Sequence, residues 1–312
     1  MPMTSNMENS LYFEFVRNVA SEAEADELLR LGKVQFVLTI PQDFGRELIR
    51  GHRPVVLLSA DATDPSATSN AVSAIRQAVG TAVNRDLTGP LAALQSTDGP
   101  VELRLHARYN PEAITQYNIV PGLMGVVLSM TLVIITSLAI TRERERGTME
   151  NLLITPVRPV EVLLGKMLPY IMVGYLQMVL IVVAAKLLFH VPVLGSLPLL
   201  FVVSFPFIAA NLGVGITFST VASNQLQAVQ MSFFFFLPSI LLSGFMFPFR
   251  GMPEWAQWVG SALPLTHYLR VVRGIVLKGN GFWDIAPSLW PICAFLVVSL
   301  GLGILRYRQT LD

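Results

Sequence analysis

The chain has 312 residues, 53% of them hydrophobic and only 14% charged, with a formal net charge of +1. Soluble domains carry roughly 25% charged residues, so most of this chain lacks the polar coat of one, and the near-neutral balance offers nucleic acid no basic surface. The single cysteine, Cys293, excludes an intrachain disulfide or a cysteine-built metal site, and in its apolar run it reads as a small buried residue.

The charges are unevenly placed: residues 1–105 hold 22 of the 43 charged side chains. The first third therefore has soluble composition and the remainder membrane composition. No basic segment followed by an apolar run opens the chain, so no secretory signal is read there.

Residues 9–105 read as a small α/β domain. Ser21-Glu22-Ala23-Glu24 opens a helix with a capping-box pattern, running to Leu31-Gly32. A strand from Val34 to Ile40 stops at Pro41, a short helix from Phe44 to Ile49 ends at Gly51, and Val55 to Ser59 is a second strand. Asp64 caps the next helix with Pro65 at its first position, and Ala71, Ile75, Ala78, Val79 and Ala82 form its apolar stripe. Val101 to Arg108 alternates as a strand leading towards the membrane.

A helix crosses the hydrocarbon core with roughly 20 apolar residues. Five segments qualify: Ile119–Ile140, Val162–Phe189, Leu197–Val221, Ala228–Phe249 and Ile285–Leu305. Lys166 and Lys186 lie near the ends of the second, where long side chains snorkel. The fold class is thus a membrane all-α bundle of five helices, with residues 1–110 as an α/β domain and 111–312 as the membrane domain. The cluster Arg142, Arg144 and Arg146, with Arg158 and the tail residues Arg306 and Arg308, falls on one side; Arg250, Arg270, Arg273 and Lys278 fall on the other. The dense cluster abuts a span end, which places it in the cytoplasm and residues 1–110 outside it, in an inner (plasma) membrane. An external amino-terminal domain needs something upstream to translocate it. The expectation is a missing upstream span; the alternative is an external N-terminus exported without a signal.

The stretch Thr141-Arg-Glu-Arg-Glu-Arg-Gly-Thr-Met-Glu-Asn-Leu-Leu-Ile-Thr-Pro156 directly follows the first span. Glu143, Arg146 and Glu150 share a helical face, and Leu152, Leu153 and Ile154 are apolar. A short amphipathic helix across the membrane surface fits this pattern, free to dock in a partner's groove; a solvated basic anchor is the plainer alternative.

This stretch, continued to Lys166, resembles the signature of type-2 ABC exporter permeases, E-R-E-x-G-T-x-E-x-L-L-x-T-P. The Tyr109-Asn110-Pro111 and Val120-Pro121-Gly122 elements are also similar to that family. So are Leu242-Ser243-Gly244-Phe245-Met246-Phe247-Pro248 with Met252-Pro253, Pro264-Leu265-Thr266-His267-Tyr268, Arg273-Gly274 and Leu277-Lys278-Gly279. The likeness runs from about Tyr12 to Arg308. It implies a coupling helix at about 142–156 seated on an ATPase subunit, with Glu143, Arg144, Glu145, Arg146, Gly147, Thr148, Glu150, Leu152, Thr155 and Pro156 as the contact region. The branch it resembles has a large external domain between spans one and two and includes bacterial multidrug and cation efflux permeases. Those carry six spans, so the five here correspond to the second to sixth. The resemblance implies a dimer with a second permease copy or paralogue, a cytoplasmic ATPase holding ATP and Mg, and a periplasmic adaptor where a cell has two membranes. No cofactor is expected on this chain itself.

Other candidates carry weaker signals. The segment from Arg250 to Trp258 is too polar for a span, and Trp255 and Trp258 suit the membrane interface; the resemblance implies paired re-entrant helices there. Met231, Phe235 and Met246 either line an apolar route or pack against lipid and core. His267, Arg270 and Arg273 either meet headgroups or substrate, or snorkel. Ser219, Ser223, Asn224, Gln225, Gln227 and Gln230 form a polar stripe at the turn between the third and fourth spans, a candidate second contact with the ATPase.

No G-x-x-x-x-G-K-[ST], H-E-x-x-H, C-x-x-C or G-x-S-x-G pattern occurs. The chain therefore carries no P-loop, and the span interiors offer almost no ionisable residue for a membrane enzyme. The expectation is the permease of an ATP-driven exporter, not an enzyme, moving drugs or other amphipathic compounds. A non-transporting assembly or sensor subunit, or an inactive truncated permease, is the alternative.

Overall fold

The computed structural model describes residues 15–86, 101–146 and 159–309. The chain divides into two compact units, Met1–Thr115 and Gln116–Asp312.

In the first unit, helices α1 (Glu22–Arg30), α2 (Phe44–Ile49) and α3 (Pro65–Asp86) accompany strands β1 (Phe36–Thr39), β2 (Val55–Asp61) and β3 (Glu102–Arg108). The sheet order is β1-β2-β3, with β1 antiparallel and β3 parallel to β2. Ser21 caps α1, its hydroxyl accepting from Glu24 N–H at 3.2 Å. Gly32 (φ 68°) closes the same helix, and Lys33 N–H reaches back to Leu28 O. Asp64 caps α3 through Ala67 N–H. The parallel β2–β3 pair needs a crossover between its strands, and α3 lies in that connection. Leu58 on β2 packs with Val72, Ile75, Val79 and Val83 of α3. The buried face of α3 is thus turned from the expected stripe: Ala71 and Ala78 are half-buried, and the side chain of Ala82 lies outside the described residues. Valines bury more apolar area than methyl groups, so they take the side facing the sheet.

The second unit is helical: α4 (Thr115–Glu145), α5 (Pro159–Leu187), α6 (Leu197–Val221), α7 (Gln225–Leu242), α8 (Glu254–Ala262), α9 (Pro264–Lys278) and α10 (Phe282–Gln309). Five of these, α4, α5, α6, α7 and α10, are long and apolar enough to cross a membrane. The fourth span was expected to reach Phe249 but stops at Leu242. Gly244 takes φ 84°, a left-handed conformation that ends the helix, and Pro248 follows.

Burial separates the spans. The apolar window is 72% buried in α6 and 56% in α4, but 17% in each of α5, α7 and α10. α6 is therefore the central helix. Gly215 lets α4 approach it: a Cβ there would lie 2.9 Å from Val133 O and 2.8 Å from Thr136 Cβ. In lipid, apolar packing alone does not distinguish one register from another, and directional bonds between helices do. Asn211 on α6 accepts from Ser129 Oγ of α4 at 2.9 Å, while its own amide donates to Phe207 O. Thr217 donates to Ser299 O of α10, and Ser299 Oγ donates to Ala210 O, both at 3.3 Å.

α8 and α9 form a short helical pair before the last span, joined through Leu263 in extended conformation. The first turn of α9 caps the last turn of α8: Thr266 Oγ1 donates to Gly260 O (2.6 Å) and His267 Nε2 to Ser261 O (2.8 Å). The tryptophans of α8, Trp255 and Trp258, are exposed, whereas α9 is buried on nearly all sides. Tyr268 of α9 stacks on Phe207 of α6, ring centroids 3.8 Å apart, with its hydroxyl 2.7 Å from Ser204 Oγ.

Candidate functional site

The charged segment after the first apolar run begins as the last turn of α4, continuous with the span. Arg146 N–H still bonds Arg142 O at 3.1 Å, so the helical path reaches at least Arg146. Gly147, Thr148, Glu150, Leu152, Thr155 and Pro156 lie outside the described residues.

Three consecutive side chains here reach three different helices. Glu143 forms an ion pair with Lys166 of α5. Arg144 Nη1 donates to Thr220 O, in the last turn of α6, at 3.4 Å. The Glu145 carboxylate accepts twice from Gln225, the first residue of α7: from the backbone N–H at 2.7 Å and from the side-chain amide. Successive residues on a helix point about 100° apart, so three in a row project in different directions, each towards its own neighbour.

The start of α7 is built to receive a carboxylate. Its first N–H groups have no partner within the helix. Asn224 Oδ1 accepts from Gln227 N–H at 2.8 Å, and Gln227 Oε1 accepts from Ser223 N–H at 2.7 Å. The Gln225 N–H is left pointing outward, and Glu145 takes it. A negative group at a helix N-terminus is also favoured by the aligned peptide dipoles.

Sequence reasoning grouped Glu143, Arg144, Glu145 and Arg146 as one contact surface. It read Lys166 as a snorkelling lysine and Gln225 as part of a separate polar stripe. The structure brings these groups together. The Asn224-x-x-Gln227 pattern was the available signal for a capped helix start beside the charged segment.

The second set of candidates has separate surroundings. Phe235 lies between Phe218 of α6 and Phe295 of α10, at centroid distances of 6.0 and 6.5 Å. Met231 is half-buried and Met246 and Trp255 are exposed. His267 is buried at the α8–α9 junction. Arg270 lies 4.7 Å over the Phe249 ring, and Arg273 Nη1 donates to Gly244 O at 3.3 Å. Both arginines thus hold the turn that follows α7. Among the described residues no group of three or more His, Cys, Asp or Glu side chains is arranged to hold a metal ion.

Five apolar spans, a charged turn that continues one of them and bonds three neighbouring helices, and a short helical pair before the last span define a polytopic membrane subunit. The sequence profile of the ABC-2 family transporter proteins matches residues 1–305, and the chain belongs to that family. It is 31% identical over 287 residues to the probable multidrug ABC transporter permease YbhS of Escherichia coli K12, covering 91% of this chain and 75% of that protein. The probable multidrug ABC transporter permease YbhR of the same organism is 27% identical over 307 residues, covering 98% and 81%. Its inner membrane transport permease YhhJ is 29% identical over 300 residues, covering 92% and 76%. The chain is therefore a multi-pass membrane permease of an ABC exporter, a transport subunit and not a catalyst in itself, of a class that works with an ATPase partner.

Proposed function

We propose that this chain is the membrane half of an exporter whose ATP and Mg are bound on a separate ATPase polypeptide. Two copies, or one copy and a paralogue, pair around the transport route in the inner membrane. Residues 142–146 and the C-terminus face the cytoplasm, and the first unit lies outside. The cargo class is drugs or other amphipathic compounds, in keeping with the multidrug names of the relatives YbhS and YbhR and with the apolar character of the spans.

One observation carries this reading: the charged turn at Glu143–Glu145 bonds the ends of α5, α6 and α7 together. A force applied by a partner beyond Arg146 is delivered to three helices at once. The absence of a P-loop motif in the sequence supports placing the nucleotide on another chain.

The test is purification from native membranes through a C-terminal tag, with mass spectrometry of what co-purifies. A P-loop ATPase in stoichiometric amount supports the reading, and an external adaptor in the same complex assigns a partner to the first unit. Recovery of the chain without any ATPase overturns it.

A further inference from the structure

We propose that Glu145 and Gln225 form a two-point clasp that transmits movement of the charged segment to α7, with Gln225 as the positioning residue. The inference rests on the coupling role proposed above and adds its route.

A single hydrogen bond acts as a pivot, whereas two from one planar carboxylate fix both distance and angle. Glu145 makes two, one to the backbone of Gln225 and one to its side chain. Both are charge-assisted, the stronger kind. Among the described residues, the link to α6 is a long bond from Arg144, and the link to α5 is an ion pair through the flexible stem of Lys166. Of the three links, the one to α7 has the least slack.

α7 is also a helix that can respond. Its apolar window is only 17% buried. Its anchors are the Ser137–Ser232 hydroxyl pair at 3.1 Å, the Phe235 ring contacts and, beyond its last turn, the bond from Arg273 to Gly244 O. Its first turn is stiffened by the reciprocal Asn224 and Gln227 caps. A stiff first turn gripped at two points passes a displacement of its end into the helix. The connection also joins the last turn of α4 to the turn between α6 and α7.

The clasp predicts an unusual substitution pattern. Gln225→Glu faces one carboxylate with another and breaks the grip. A glutamate at the first position of a helix otherwise favours the helix, so without the pairing to Glu145 the same substitution predicts the opposite sign. The double variant Glu145→Gln/Gln225→Glu restores both bonds, because residue 145 still accepts from the 225 N–H and its amide donates to the new carboxylate.

Two measurements decide the matter. In the purified chain alone, hydrogen exchange at residues 225–228 should rise in Gln225→Glu and return to the parental level in the double variant. In the permease–ATPase complex in everted vesicles, ethidium accumulated per ATP hydrolysed should fall about fivefold or more in Gln225→Glu, the low end of ordinary inter-site coupling, and recover in the double variant. Unchanged or reduced exchange in Gln225→Glu overturns the clasp, whatever the complex contains. Raised exchange with an unaltered ethidium-to-ATP ratio leaves a structural pair and overturns the transmission role. A parental complex without ATPase refutes the proposed function, while the exchange result still judges the clasp.

Discussion

Tyr268 fixes the position of α9 in the membrane core, and it does so through its ring more than its hydroxyl. The ring is fully buried and lies parallel to Phe207, with 1° between the planes. The hydroxyl meets Ser204 Oγ, but Ser204 also donates to Leu200 O at 2.7 Å. Tyr268→Phe therefore leaves no orphaned donor on Ser204. Its cost is that of one interhelical hydrogen bond in a membrane protein, about 0.6 kcal/mol and at most about 1.7. Tyr268→Ala removes the stacked ring and leaves a void between α6 and α9, costing about 3–5 kcal/mol as for other buried aromatics. For a unit of this size each kcal/mol shifts Tm by about 2–4 °C. Thermal unfolding of the detergent-solubilised protein should show a fall of about 1–3 °C for Tyr268→Phe and about 6–20 °C for Tyr268→Ala. Equal falls in the two variants would refute the reasoning, because the hydroxyl and not the ring would then seat α9.

Gly215→Val should lower Tm by several degrees, since the new side chain meets Val133 O and Thr136 where α4 and α6 touch; overpacking of this kind costs about 1–3 kcal/mol. Leu58→Ala should cost about 2–5 kcal/mol in the first unit, visible as faster hydrogen exchange in β2 and α3 with exchange in α6 unchanged. Glu143→Arg places two cations side by side at Lys166 and should lower export per ATP; Glu143→Arg with Lys166→Glu should restore it, and undiminished export in the single variant removes Glu143 from the coupling route.

The spans were legible because apolar runs of this length have few other solutions in a chain so poor in charge. The caps were legible for a different reason: Ser21, Asp64 and Pro65 act on their own backbone within three residues, so their pattern is local. The turn of α3 was misread because a stripe of alanines and valines carries almost equal apolar signal over adjacent faces, and only the sheet decides which face it buries. The burial of α9 was hidden for a related reason. Its sequence mixes His267, Arg270 and Arg273 with apolar residues, which reads as an interface, while the turn after α7 that Arg270 and Arg273 hold is distant in sequence. The pairing of Glu145 with Gln225 spans 80 positions and depends on how two helix ends meet. No periodicity in one sequence encodes that meeting.

The distribution of polar side chains separates a frame from the parts that move against it. α6 carries Ser204, Asn211 and Thr217, bonded respectively to α9, α4 and α10. The three sites lie about two turns apart, so each neighbour is pinned at a different depth and none slides along α6 without breaking a bond. These four helices hold one another in register. α5 reaches the frame through Gln177, which pairs with Thr131 of α4, and through Tyr175, which donates to Phe201 O of α6. α7 reaches it through Ser232, through the Phe235 ring against Phe218 and Phe295, and through the turn after it, where Arg273 of α9 donates to Gly244 O. α5 and α7 are also the two helices that Glu143 and Glu145 of α4 contact, at Lys166 and Gln225. The close contacts of the last turn of α4 thus run to α5 and α7, and its long one, from Arg144, to α6, which is held at three depths. Because that turn is continuous with α4, a displacement there acts on the frame and on α5 and α7 together.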